Sequence, residues 1–138
     1  MSETINLTLE RCAWSEQAGR VLERSTRMAP CTTARDYRDL LAIDPSAHLY
    51  HGTVDGKIVG YVLLRTEHFS MGSEGVIVAV AGRLPGMDLI DAFLPAIERE
   101  FKGVAAYRFT SARRGLLRKM KSLGYYATHV TMRKPAQP

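Results

Sequence analysis

Residues 76–81, Val-Ile-Val-Ala-Val-Ala, form a run without a single polar side chain. A strand with one wet face would alternate, so this run fits a strand covered on both faces. It breaks at Gly82-Arg83-Leu84-Pro85-Gly86, and a helical pattern starts at once. Leu89, Ile90, Phe93, Leu94, Ile97 and Phe101 recur at helical spacing, which predicts a helix over residues 88–101. Pro95 removes one N–H from it and is expected to kink it near Asp91. Residues 104–109 read as a further strand. Strand, helix and strand in that order need a crossover, hence a parallel pairing. A chain built around this unit is an α/β protein.

The remaining elements surround that unit. Residues 5–9 alternate through Ile5, Leu7 and Leu9, as a short strand does. Residues 14–28 are moderately helical, with Ala18, Val21 and Leu22 on one side, Ser15 or a neighbour as cap and Ala29-Pro30-Cys31 at the end. Thr32 or Thr33 caps a second helix over residues 34–43, with Tyr37, Leu40 and Leu41 as its apolar face. Asp44-Pro45-Ser46 stops it. Residues 48–64, HLYHGTVDGKIVGYVLL, are two strand-like runs joined at Asp55-Gly56. That dipeptide signals a hairpin, because a type I′ turn needs positive φ at both central residues. Beyond residue 109, Ser111 caps a last helix striped by Leu116, Leu117, Met120 and Leu123. Gly124 stands where a left-handed C-cap belongs. Residues 125–132 are expected to close the fold as a strand. The order β α α β β β α β α β gives a mixed, mostly antiparallel central sheet flanked by helices.

With 138 residues the chain is expected to be one domain, residues 1–134, with a disordered tail over 135–138. No apolar run approaches the roughly 20 residues that span a bilayer. The start, MSETINLTLER, lacks the basic-then-apolar pattern of a signal peptide, so a cytoplasmic location is expected. Cys12 and Cys31 have no CxxC spacing and are expected to be reduced thiols. His48 and His51, three apart on a strand, point to opposite faces, and His68 and His129 stand alone. No metal site is expected. The net charge of +5 permits an anionic partner without choosing one. Arg113, Arg114, Arg118, Lys119 and Lys121 crowd the last helix, with Arg114, Arg118 and Lys121 opposite its apolar stripe. That face is either simply solvated or bound to phosphate. No aromatic residue interleaves with it, which disfavours single-stranded nucleic acid.

Two helices, an Asp-Gly hairpin, an apolar strand, a glycine loop opening a helix, then strand, helix and Leu-Gly-Tyr: this order resembles the GNAT N-acetyltransferases. The resemblance spans about residues 33–134. Its most specific piece is the ending, RRGLLRKMKSLGYYATHVTMRK, and DGKIVGYVLL is similar to the family's hairpin. A weaker resemblance links the same ending to small GNAT-like proteins of tailed phages and prophages.

The resemblance implies a GNAT-like fold, acetyl-CoA as substrate and an amine as acceptor, with a homodimer common in the family. The family's loop reads Q/R-x-x-G-x-G/A and holds the pyrophosphate on backbone amides and a helix N-terminus, where unpaired N–H groups and the dipole favour an anion. Here Arg83 and Gly86 fit the first two fixed positions. Asp88 replaces the small third residue, and Pro85 removes a donor. The cofactor-binding residues implied are Val80, Ala81, Arg83, Leu84, Gly86 and Met87. Without a ligand the same stretch is a plain turn with Asp88 as helix cap. Glu74 stands about where the family has a glutamate base acting through water; as a bare strand-end carboxylate it needs no function. Counting back from Gly124, the family's tyrosine acid falls on Met120, which has no proton to give. The asparagine common at the start of that helix is absent, with Arg113 near its place. Tyr125 and Tyr126 are neighbours of which one should face the core and one the solvent.

Three functions fit these residues. The first is acetyl-CoA-dependent N-acetyl transfer to an amine. The second is a GNAT-like domain without catalysis, in a binding or structural role such as a phage particle. The third, a nucleic-acid-binding protein, rests on charge alone.

Overall fold

A computed structural model describes residues 6–26, 32–111 and 114–136. In chain order these form β1 (Thr8–Arg11), α1 (Glu16–Leu22) running into a 3-10 turn (Glu23–Thr26), α2 (Ala34–Ile43), β2 (His48–Val54), β3 (Lys57–Phe69), β4 (Gly72–Gly82), α3 (Leu89–Glu100), β5 (Ala106–Phe109) and α4 (Arg114–Ser122). The five strands form one sheet in the order β1-β2-β3-β4-β5. The first four are antiparallel neighbours, and β5 lies parallel to β4 after the α3 crossover.

Local chemistry sets most of these boundaries. The Ser15 hydroxyl accepts the Ala18 N–H and starts α1. Thr33 is the N-cap of α2, and its N–H donates to the Asp36 carboxylate at 2.8 Å. Asp44 ends that helix by accepting the Ser46 N–H and hydroxyl, each at 2.8 Å. Asp55 and Gly56 have φ of +52° and +77°, as a type I′ turn between β2 and β3 requires. Gly124 has φ +96°. The Tyr125 N–H returns to the Met120 carbonyl and the Gly124 N–H to that of Lys121, a Schellman motif ending α4.

The sheet divides two apolar cores. On one face Ala18, Leu22 and Tyr37 of α1 and α2 cover Leu49, Tyr61, Leu63, Ala79 and Ala81. On the other, Phe93, Ile97 and Met120 of α3 and α4 cover Tyr50, Val62, Leu64 and Ile77. Central strands are thus covered on both faces, as the run at residues 76–81 predicts. Phe93, fully buried, presses onto glycines: a Cβ at Gly52 would stand 2.6 Å from its ring, and one at Gly60 3.0 Å. Burying a phenylalanine stabilises by about 1.5–3 kcal/mol, so two bare strand positions let α3 settle low on the sheet.

Three expectations need correction. Helix α1 is shorter than residues 14–28 and tightens into its 3-10 turn at Glu23. The hairpin β3–β4 extends well past the apolar residues, through Phe69 and from Gly72. Its polar arms hold together by backbone pairing, by the His68–Ser73 hydrogen bond at 2.7 Å, and by Arg108, which joins the opposed Glu67 and Glu74. Residues 125–132 are not a strand: they pair with nothing, and residues 126–136 are exposed. Their β-type composition lacks a partner strand, and propensity without pairing does not make a sheet. Ile5, Met28, Cys31, Arg113 and residues 137–138 lie outside the described residues, as does the step from Ser111 into α4.

Candidate active site

Strands β4 and β5 pair over four positions only, from Glu74↔Ala106 to Ile77↔Phe109. Beyond Ile77, β4 runs on to Gly82 while β5 has ended, so the two part and leave the β4 edge bare on that side among the described residues. The parting coincides with an irregularity. Leu63 faces Ala79 and Leu64 faces Ile77, so Val78 is an extra residue, a β-bulge, at the mouth of the split. Val80 and Ala81 lie on the bare stretch. Their side chains pack into the two opposite cores, so only their backbone groups can serve a ligand there.

The loop Arg83–Met87 follows. The Arg83 N–H is tied to the Val59 carbonyl at 2.8 Å, and the Met87 N–H to that of Leu84 at 3.3 Å. Gly86 has φ +78° and nothing within 4 Å of where a Cβ would point, so its backbone faces open space. The N–H groups of Leu84 and Gly86 have no acceptor among the described residues. Arg83 is exposed and makes no ion pair among them. The Leu84 side chain is partly buried against the α3 core, which anchors the loop.

Asp88 is the N-cap of α3. Its Oδ1 accepts the Ile90 N–H at 2.8 Å and the Asp91 N–H at 3.4 Å. Two of the donors at this helix start are therefore taken by a carboxylate already in place. Lys119 reaches across from α4 to Asp91 at 2.7 Å, with Asp88 at 3.9 Å. That hydrogen bond pushes the Lys119 pKa up, with Asp91 and Asp88 charges adding to it. Lys119 therefore stands apart from the exposed Arg118 and Lys121 that share its helix.

Glu74 lies at the other, paired end of β4. Its Oε2 takes the Arg108 Nη1 at 3.0 Å. Arg108 also binds Glu67, which Arg65 approaches at 2.9 Å, and Arg65 lies 3.8 Å from Asp44. The Arg108 hydrogen bond holds the Glu67 carboxyl below its ordinary range. Glu74 is thus one member of a chain of ion pairs across β3, β4 and β5. Sequence reading named Glu74 but missed Arg108, Glu67 and Arg65; the only signal was an arginine inside the strand AYRF.

Met120 fills the position where the resemblance implies a tyrosine acid. Met120 is 3% exposed and part of the core. Of the neighbouring pair, Tyr126 is exposed and Tyr125 faces inward, its ring edge-on to Phe109 at 5.8 Å. The Tyr125 hydroxyl is buried without a partner. Burial, then the nearby Glu98 and Tyr107, pushes its pKa up to about 12. The structure brings Val80, Ala81, Arg83, Leu84, Gly86 and Met87 to one end of β4 and leaves Glu74 at the other. His51 meets Glu10 at 3.3 Å and His68 meets Ser73 at 2.7 Å.

No family model matches the sequence, and no curated protein does. Solved structures do match. A candidate acetyltransferase of Pyrococcus furiosus superposes with a TM-score of 0.73 at 13% identity, over 95% of this chain and 100% of its own. A candidate acetyltransferase of Clostridium difficile gives 0.71 at 11%, over 96% and 98%. The aminoglycoside N-acetyltransferase AAC(6')-Iy, solved in complex with CoA, gives 0.59 at 12%, over 97% and 95%. The chain therefore has a GNAT-like fold over nearly its whole length.

Proposed function

We propose that this protein binds acetyl-CoA between the parted ends of β4 and β5 and transfers the acetyl group to an amine. The split beside the bare β4 edge carries this reading: an extended amide chain can pair there as a strand would. The loop supports it with the N–H groups of Leu84 and Gly86 and the Arg83 guanidinium, none of which has a partner among the described residues, and with open space above Gly86; together these suit a pyrophosphate. The amine nitrogen attacks the thioester carbonyl, a C–N bond forms, the C–S bond breaks, and CoA leaves as the thiol once a proton reaches sulfur. The nitrogen loses one proton in exchange. With Glu74 paired to Arg108 and Met120 in the acid's place, rate enhancement comes from holding the amine against the thioester, and proton transfer runs through water. A homodimer in the cytoplasm is part of this reading.

A second reading has a specific observation behind it. The Asp88 carboxylate occupies donors at the start of α3, as in a GNAT-fold domain that has given up catalysis for a binding or structural role. The resemblance of its ending to phage-carried proteins makes particle assembly one setting for that role. Calorimetric titration with acetyl-CoA separates the two. The first reading expects micromolar binding, lost in Gly86→Trp because a side chain at that positive φ fills the loop. No heat at millimolar ligand would leave the second.

A further inference from the structure

His48 and His68, far apart in the sequence, line one pocket in the fold. His48 and Tyr50 of β2, with Leu64 and His68 of β3, lie on the sheet face that α3 covers. The end of α3 closes over them through Glu100 and Phe101, and Lys102 follows. Together they enclose a half-open pocket of about 350 Å³, within the range of small-molecule sites. Helix α3 spans about 18 Å, so this pocket and the loop Arg83–Met87 lie at its opposite ends.

The floor of the pocket is apolar. Leu64 and Tyr50 are buried there. The Phe101 ring closes the side toward β4, where a Cβ at Gly75 would stand 2.6 Å from it. The rim is cationic. Glu100, the one carboxylate among the lining residues, is already engaged, since it shares the Tyr50 hydroxyl with Arg11 of β1. Those two charges offset each other, and the Arg65 charge is taken by Glu67 and Asp44. The last carbonyls of α3 add about half a negative charge. Against that stand two imidazoles and Lys102, which has no ion pair among the described residues. Burial, then the Arg11 charge, lowers the His48 pKa, with Asp44 opposing by less, so the field at the rim is positive. Among the described residues no three His, Cys, Asp or Glu side chains converge as metal ligands.

We infer that this pocket is a second binding site, for a small organic anion that rests its apolar body on Leu64 and Phe101 and turns its carboxylate or phosphate to Lys102, His48 and His68. The floor gives such a ligand apolar area to bury, and the rim gives its head charged hydrogen-bond donors. A bare inorganic anion would leave the floor uncovered, and a neutral ligand would leave Lys102 without a partner. The occupant joins the end of α3 to β2 and β3. The site does not depend on acetyl-CoA binding at the other end of the helix.

The test is a titration of the full chain followed by amide and imidazole NMR shifts, with benzoate and phenyl phosphate as probes and benzamide as the neutral isostere. Saturable shifts at His48, Thr66, His68 and Lys102 are expected at millimolar anion, with benzamide about tenfold weaker or worse. The tighter of the two anions tells a carboxylate site from a phosphate site. Lys102 is exposed and outside every helix and strand, so Lys102→Glu should keep the fold, which circular dichroism checks, and weaken both anions about tenfold or more. His48→Gln, which keeps a polar side chain without the imidazole, should weaken them less. The inference is overturned by an absence of shifts in the pocket, by benzamide binding as well as the anions, or by anion binding that survives Lys102→Glu. Shifts confined to residues 83–88 also overturn it, because they would put the anions on the loop and speak for the acetyl-CoA site alone.

Discussion

Asp88 does two things that conflict. As N-cap it holds the Ile90 and Asp91 N–H groups, and replacing an aspartate cap by alanine costs about 0.5–2 kcal/mol. As a carboxylate at the mouth of the loop it would repel the pyrophosphate that the proposed function assigns to the neighbouring Arg83 and Gly86. Asp88→Ser separates these roles, because serine caps equally well without charge. The expected result is a melting temperature close to wild type and tighter binding of acetyl-CoA in calorimetry. Unchanged affinity would mean that no anion approaches this helix start. The residue was legible in the sequence both as a cap and as a misfit, since each reading needs only its neighbours. Its neighbourhood with Lys119 of α4 was not: Lys119 binds Asp91, 28 residues before it, and comes near Asp88 only through the fold.

Among the elements, β4 carries the site, and glycines set its path. Gly60 and Gly82 face each other across β3 and β4. A Cβ at Gly82 would collide with the Val59 carbonyl, and one at Gly60 would stand 2.6 Å from the Ala81 carbonyl. The same Val59 carbonyl accepts the Arg83 N–H, so this close approach also fixes where the loop begins. Gly82→Ala should therefore part the strands, destabilise by about 1–3 kcal/mol, and weaken acetyl-CoA binding with it. Thermal melting and titration of the same sample check both halves; wild-type stability would show that the strands can shift at no cost. Elements specified by adjacent residues were readable: the Asp55-Gly56 turn, the Thr33 and Ser15 caps, the Gly124 stop. The arms of β3 and β4 beyond Leu64 were not, because Arg65, Glu67, Ser73 and Glu74 look like a loop until their partners are known. The strand expected at residues 125–132 failed for the converse reason, a good local pattern that pairs with no strand among the described residues.

At the scale of the whole molecule, β5 is held by four register pairs and by Arg108. Glu67 and Glu74 are directly opposed on β3 and β4, an arrangement that repels unless a cation joins them, and Arg108 of β5 does so. Its hydrogen bond lowers the Glu67 pKa; hydrogen bonds from Ser46 lower that of Asp44, and burial lowers that of His48. A group whose folded pKa is depressed adds stability above its unfolded value and loses it as pH falls through the folded one. Stability should thus decline as pH drops below the ordinary His48 value of 6.5, and more steeply below the ordinary Glu67 value of 4.5. The alkaline side has the opposite sign. Burial raises Cys12 from 9.0 and Tyr125 from 10.0 to about 12, so stability present below those values is lost as pH rises past them. Urea denaturation across pH should show a plateau between about 6.5 and 9, bounded by these groups. Arg108→Met is expected to lower the plateau by leaving two facing carboxylates unjoined, and its deficit should shrink below pH 4.5, where the stability that Arg108 gives through Glu67 is lost in the wild type too. A deficit that stays constant through the acid range would mean that Arg108 contributes by packing alone, and that β5 is held to the sheet by its backbone pairs.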